Sequence, residues 1–163
     1  MLSAVASLSR TYVWLLVIAI TACSSEPSEQ FRWRLALDSS GGVAGAGGGR
    51  VVVTSDGKVD SSRSGISCNV TLSPEELRPI QQAVGAVAPG NWGADYQPSK
   101  SQVCCDRITW RLEVTLETGD GTQRTAHAEW HEEAMGQLPP DLSALGIIAG
   151  RILDRSIEMC RDR

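Results

Sequence analysis

The stretch Ile108-Thr109-Trp110-Arg111-Leu112-Glu113-Val114-Thr115-Leu116-Glu117 alternates apolar and polar side chains without a break. On a strand, successive side chains point to opposite faces, so Ile108, Trp110, Leu112, Val114 and Leu116 line one face and the polar residues the other. Gly119-Asp120-Gly121 turns the chain, and Gln123 to His131 follows with Ala126, Ala128 and Trp130 on a common face. Two alternating runs around a glycine turn specify a hairpin with one wet face and one apolar face that must be covered.

The same pattern recurs upstream. Phe31, Trp33, Leu35 and Leu37 alternate with Arg32, Arg34 and Ala36, and Arg50 to Thr54 gives a second strand before Asp56-Gly57. Between them runs the glycine-rich stretch Asp38 to Gly49. Lys58 to Val70 is polar and turn-rich and reads as irregular. Ser73-Pro74-Glu75-Glu76 opens a helix: Ser73 fits the N-cap, Pro74 the first helical position and Glu76 the reciprocal capping-box site. Leu77, Ile80, Val84 and Val87 form its apolar stripe, with Pro79 predicting a kink or early break and Pro89-Gly90 the end. Pro139-Pro140-Asp141 opens a second helix carrying Leu142, Leu145, Ala149, Ile152 and Ile157, and Gly146 and Gly150 would let it approach a sheet closely. The order ββαββα predicts an α+β fold: an antiparallel four-stranded sheet with two helices on one face.

The chain has 163 residues, 42% hydrophobic and 21% charged, which suits one globular domain. Lys and Arg total 15 against 19 Asp and Glu, a formal charge of −4 without a dominant basic patch. That balance speaks against nucleic acid as a partner.

At the N-terminus a single basic residue, Arg10, precedes the apolar run Tyr12 to Ile20. The run is too short to cross a bilayer core, which needs about 20 residues, but it suits the apolar region of a secretion signal. It ends in Ile20-Thr21-Ala22-Cys23, which resembles a bacterial lipobox. The resemblance implies a signal peptide over residues 1–22, a lipid on the Cys23 thiol, a tether over 23–30 and one domain over 31–163. Removing residues 1–22 takes away Arg10 and no acid, leaving 14 basic and 19 acidic residues and a net charge of −5. Two or more acyl chains suffice for stable anchoring. The expected location is the bacterial cell envelope, and Ser24 after the cysteine points, by resemblance to other lipoproteins, to the outer membrane facing the periplasm.

Four cysteines remain beyond Cys23: Cys68, Cys104, Cys105 and Cys160. In an oxidising envelope they are expected to form two disulfides. A bond between the neighbours Cys104 and Cys105 would be strained, so Cys68 and Cys160 are each expected to take one of that pair, in either of two connectivities. Their spacing matches no common zinc pattern.

Motifs for chemistry are weak. Gly45-Ala46-Gly47-Gly48-Gly49-Arg50 places Arg50 where a dinucleotide fingerprint needs its third glycine, and a strand follows where a helix N-terminus is required. His127-Ala128-Glu129-Trp130-His131 departs from the zincin order, and on a strand the two histidines lie about 13 Å apart, too far to share a metal. No Gly-x-Ser-x-Gly elbow occurs. The sequence therefore assigns no catalytic residue, no metal site and no cofactor.

Three stretches in the same order carry a family resemblance: Ser40-Gly41-Gly42-Val43-Ala44-Gly45, Leu72-Ser73-Pro74-Glu75-Glu76-Leu77, and the hairpin from Ile108 with its Gly-Asp-Gly turn and the later Leu138-Pro139-Pro140-Asp141-Leu142. Together they resemble emfourin, the protealysin inhibitor family, over roughly residues 31–153. The lipobox, the cysteines, the extra Gly47 to Gly49 and an inserted segment around Ser61 to Asn69 depart from that family. The resemblance implies a lipid-anchored inhibitor whose partner is a thermolysin-like zinc metallopeptidase. Its inhibitory loop would be Ser40, Gly41, Gly42, Val43, Ala44 and Gly45, with Val43 as a small apolar anchor. The same scaffold could instead serve an envelope lipoprotein with a structural or assembly role and no peptidase target.

Overall fold

The computed structural model describes residues 31–42, 48–97 and 107–161. The expected signal peptide, Cys23 and tether, the loop residues Val43, Ala44 and Gly45, and Cys104 and Cys105 lie outside the described residues. The fold is α+β. Its strands are β1 (Arg32–Gly41), β2 (Gly49–Thr54), β3 (Lys58–Arg63), β4 (Ile66–Thr71), β5 (Asp95–Tyr96), β6 (Ile108–Glu117) and β7 (Gln123–His131). Helix α1 (Pro74–Gly85) follows β4, α2 (Pro140–Arg161) follows β7, and short 3-10 turns occupy Pro89–Asn91 and Glu132–Gln137.

One sheet runs in the order β4-β3-β2-β1-β6-β7-β5. It has seven strands where the sequence pattern predicts four, and it is mixed, because β5 pairs parallel to β7. The predicted antiparallel four-stranded sheet is thus corrected at both edges. β5 is a two-residue strand, too short for any periodicity, and it pairs Asp95 with Glu129 and Tyr96 with Trp130. β3 and β4 form a hairpin from the segment that reads as irregular. Their inward positions are Val59, Ser61 and Arg63 opposite Val70, Cys68 and Ile66, and the serine and arginine disguise the apolar alternation. Ser64 and Gly65 take φ of +51° and +81°, the left-handed pair of a primed hairpin turn whose twist matches its strands.

One face of the sheet is apolar and covered. Leu35 lies between Val53 and Val114, and Leu37 between Val51 and Leu112, in continuous cross-strand rows. These residues join Trp130, Ile80 and Val84 of α1 and Leu142, Leu145, Ala149, Leu153 and Ile157 of α2 in one buried cluster. Each large side chain so buried contributes roughly 1.5–3 kcal/mol. The opposite face is open and polar, with Arg34, Asp38, Arg50, Arg111, Glu113, His127 and Glu129 alternating against the core residues.

The capping box at Ser73 forms as the sequence indicates: the Glu76 N–H donates to Ser73 Oγ, and the Ser73 N–H donates to Glu76 Oε2 at 2.9 Å. Pro79 neither breaks nor ends α1, which runs to Gly85. Its ring is exposed, and Ile80 and Val84 hold the helix to the core. The helices lie side by side, tied by an Arg155–Glu76 ion pair at 2.6 Å, and Trp92, in the segment after α1, donates from Nε1 to Asp141 Oδ2 of α2 at 2.8 Å. Burial pushes the Asp141 carboxyl up, but hydrogen bonds from Trp92, Ala88 and Leu142 outweigh it and leave its pKa lowered. A Cβ at Gly146 would meet the buried Trp130 ring at 3.2 Å, whereas one at Gly150 would meet nothing within 4 Å. Close approach therefore needs only the first of the two helical glycines.

The disulfide pairing departs from expectation. Cys68 bonds Cys160, with Cα atoms 5.7 Å apart at a sequence separation of 92. The side chain of Cys68 points inward from β4, opposite Ser61, beneath the last turn of α2. That crossing of α2 over an edge strand is what brings the two cysteines together, and it replaces the expected bonds of Cys68 and Cys160 to Cys104 and Cys105. A buried hydroxyl pair reinforces the same junction: Ser156 Oγ donates to Ser61 Oγ at 2.6 Å, and Ser61 Oγ donates to the Cys68 carbonyl.

Candidate functional site

β1 is the central strand, flanked by β2 and β6, and the glycine element sits at its end. Ser40 pairs with Thr109 and Gly41 with Ile108, so the first half of the element belongs to the sheet itself. Gly41 and Gly42 then take φ of +93° and +76°, a left-handed conformation that favours glycine. The Gly42 N–H donates to the Arg107 carbonyl at 3.0 Å. A Cβ on Gly41 would lie within bonding distance of that same carbonyl oxygen, so only glycine fits there. The stem of the loop is thus fixed on β6 before the chain leaves the sheet.

β2 resumes the chain on the other side. Ser39 Oγ donates to the Gly49 carbonyl at 3.3 Å, bridging the two arms of the stem. A Cβ on Gly49 would sit 3.1 Å from Leu153 Cδ2, so α2 braces the returning arm from the core side. Around the stem lie three ion pairs, Asp38–Arg50 at 3.7 Å, Arg107–Glu133 at 3.5 Å and Arg63–Asp154 at 2.5 Å. The exposed Asp38–Arg50 pair contributes at most about 1 kcal/mol and orients side chains more than it stabilises. A shallow cleft of about 350 Å³ opens beside the stem between Asp38, Arg50, Ser62 and Arg63.

Both histidines lie on β7 with their side chains on the open face of the sheet. His127 is exposed, and His131 Nδ1 shares a 3.1 Å hydrogen bond with Thr109 Oγ1. Among the described residues no three His, Cys, Asp or Glu side chains gather closely enough to hold a metal ion. No described helix is long and apolar enough to cross a membrane. A wider cleft of about 1150 Å³ lies at the opposite end of β1, about 30 Å away along the strand, between Arg32, Arg34, Asp56, Lys58 and Glu117. There Lys58 Nζ holds Asp56 Oδ2 at 2.7 Å and keeps the carboxyl at about 2.

Of the residues the sequence assigns to the loop, Ser40, Gly41 and Gly42 are brought to one end of the sheet. Arg107, whose carbonyl locks Gly42, and the Arg63–Asp154 pair are not evident from the sequence. Arg63 belongs to the unrecognised β3–β4 hairpin, where the Ser64-Gly65 turn is the signal that would have revealed it. Comparison with protein-family models, with curated proteins and with solved structures finds no match to the chain.

Proposed function

We propose that the chain is a lipid-anchored envelope protein that inhibits a thermolysin-like zinc metallopeptidase by placing the segment Ser40–Gly45 in the enzyme's cleft. The observation that carries the reading is the stem: Gly41 and Gly42, both at positive φ, are held against Arg107 at the end of the central strand. A loop held at its base loses less entropy on binding, and glycines let its backbone approach a partner closely. The family resemblance supplies the kind of partner, and the lipobox supplies the anchor at Cys23.

The test is a titration of the purified chain carrying Cys23→Ser against a thermolysin-like peptidase, with hydrolysis of a peptide substrate as the readout. Stoichiometric loss of activity supports inhibition, and Val43→Asp should relieve it while the thermal midpoint stays put. Gly42 is a poor probe, because at φ of +76° any side chain strains the backbone as well. Incorporation of labelled palmitate that disappears in Cys23→Ala tests the anchor separately.

The alternative role, docking to a structural or assembly partner in the envelope, draws on a different observation. The open face carries a cross-strand row in which Arg50, Asp38, Arg111 and Glu129 alternate in sign. Such a mosaic gives register and specificity to a docked partner. Absence of inhibition at micromolar protein, with an envelope partner captured by the chain and lost in Arg111→Glu, would favour this role.

A further inference from the structure

β4 closes one end of the sheet and leaves its outer edge bare. Edges of this kind usually carry a lysine, a proline or a bulge that keeps other strands away. β4 has no charged residue and no proline from Ile66 to Thr71, and it pairs with β3 without a bulge. In a two-residue hairpin the residues flanking the turn exchange both backbone hydrogen bonds, and such pairs recur at every second position. Arg63–Ile66, Ser61–Cys68 and Val59–Val70 are those pairs, and the Leu72 N–H donating to the Gly57 carbonyl at 2.9 Å continues the series. The N–H and C=O groups of Ser67, Asn69 and Thr71 therefore point away from β3, and among the described residues none bonds to them.

The pattern of β4 is complementary to itself. An antiparallel pair about a two-fold axis at Asn69 sets Ser67 opposite Thr71 and Asn69 opposite Asn69, so every outward backbone group finds a partner. Moving the axis to Cys68 would set Thr71 opposite Gly65 of the turn, and moving it to Val70 would set Ser67 opposite Ser73, the cap of α1. On the core side the same register faces Cys68 with Val70 and Ile66 with Leu72, apolar against apolar. At the axis two Asn69 amides meet, each able to donate to and accept from the other, and no charge faces its own image. The helix layer agrees with this register. α2 crosses β2, β3 and β4 in turn, with Leu153 beside Gly49, Ser156 on Ser61 and Cys160 bonded to Cys68. Cys68 of the second copy would stand opposite Val70, so its helix end would arrive over Val70, at the apolar hollow lined by Val70, Leu72, Ile152 and Met159. Met159, 41% exposed, is apolar surface that such an arrival covers.

We infer that the chain pairs with a second copy of itself, β4 against β4 about Asn69, so that two sheets join into one. The interface stands on β4 and α2 alone and is independent of the peptidase reading. The test is sedimentation equilibrium of the purified chain carrying Cys23→Ser, with a dimer of micromolar dissociation constant expected. Asn69 is exposed, so Asn69→Lys and Asn69→Glu leave the core intact. Each should weaken the dimer at least about tenfold, because it sets a charge against its own image on the axis. An equimolar mixture of the two variants should dimerise again, now as a heterodimer, which also shows that both fold. Amide exchange at Ser67, Asn69 and Thr71 should slow as the concentration of the Cys23→Ser chain rises, while exchange at Ile66, Cys68 and Val70 stays as it is. The inference is overturned by a chain that stays monomeric into the high micromolar range, which would leave the edge to an unrelated strand. It is equally overturned by a dimer that neither variant weakens, by a mixture no more dimeric than its components, or by a dimer in which those three amides exchange as in the monomer.

Discussion

Removing the Cys68–Cys160 bond should cost the domain most of an ordinary stability margin, and the way the cost divides between the two cysteines tests the pairing itself. A cross-link spanning 92 residues removes denatured-state entropy equivalent to about 4.6 kcal/mol at 25 °C in the chain-entropy model. Domains of this size are stable by about 5–15 kcal/mol, so the loss is large on that scale. Cys68 is buried, so its truncation to Ala adds a small packing loss. Cys68→Ala, Cys160→Ala and the double variant can be compared by urea unfolding followed through tryptophan fluorescence. Because both residues belong to one bond, each single variant should lose nearly the full amount and the double variant little more. The urea slope should also rise in all three, because the uncrosslinked denatured chain exposes more surface. Single-variant losses that add in the double variant would refute the pairing, since they would mean two separate bonds. A double variant within about 1 kcal/mol of the parent would refute the magnitude.

Three further outcomes can be checked by unfolding and exchange. Gly150→Ala should stabilise α2 by up to about 1 kcal/mol, while Gly146→Ala should destabilise by about 1 kcal/mol or more, because the new methyl meets Trp130 at 3.2 Å; equal signs in urea melts would sink the packing argument. Gly41→Ala should destabilise by more than about 1 kcal/mol, because its Cβ collides with the Arg107 carbonyl. Amide exchange should then quicken first at Gly42, and an unchanged Gly42 rate would show that the stem is held some other way. On acidification, Asp56 and Asp120 both titrate at about 2, below the ordinary 3.8, the first held by Lys58 and Thr54 and the second by Thr118 and Thr122. A lowered folded-state value stabilises the fold at pH above 3.8, and that contribution disappears as pH falls from 3.8 through about 2. Asp56→Asn and Asp120→Asn should therefore flatten the stability curve in that window, and a curve as steep as the parent's would count against both assignments.

Much of this architecture is written in local pattern. β6 and β7 follow from uninterrupted alternation, the start of α1 from the Ser73–Glu76 box, and α2 from its apolar spacing after Pro139-Pro140. What escaped the sequence did so for identifiable reasons. β3 and β4 bury Ser61 through hydrogen bonds to Ser156 and Cys68, so a polar residue occupies a core position and breaks the apolar rhythm. β5 exists only because Ala94 to Tyr96 meets the edge of β7, where the Glu129 N–H donates to the Ala94 carbonyl. The Cys68–Cys160 pairing depends on how α2 crosses the sheet, a tertiary fact with no local signature. Within the candidate site the glycines are visible as glycines. Their reason, the carbonyl of Arg107 just before β6 and 66 positions away from Gly41, is not.

One turn of α2 ties the loop stem to the disulfide-bonded end of the helix. Leu153 packs inward beside Gly49, and Asp154 pairs with Arg63, so this turn braces the arm of β2 that returns from the glycine loop. In the same turn Arg155 faces the other way and pairs with Glu76 of α1. Five residues beyond Arg155, Cys160 fixes the end of the helix to β4. The disulfide thus secures the helix that braces the loop stem. Loss of the disulfide should therefore loosen the stem as well, and faster amide exchange at Gly42 in Cys160→Ala would show it. The open face of the sheet lies on the far side of β1 from this helix. A partner docked there would leave α2 and its brace on the loop stem untouched, so the inhibitory role and the docking role proposed for this chain are separable by single substitutions.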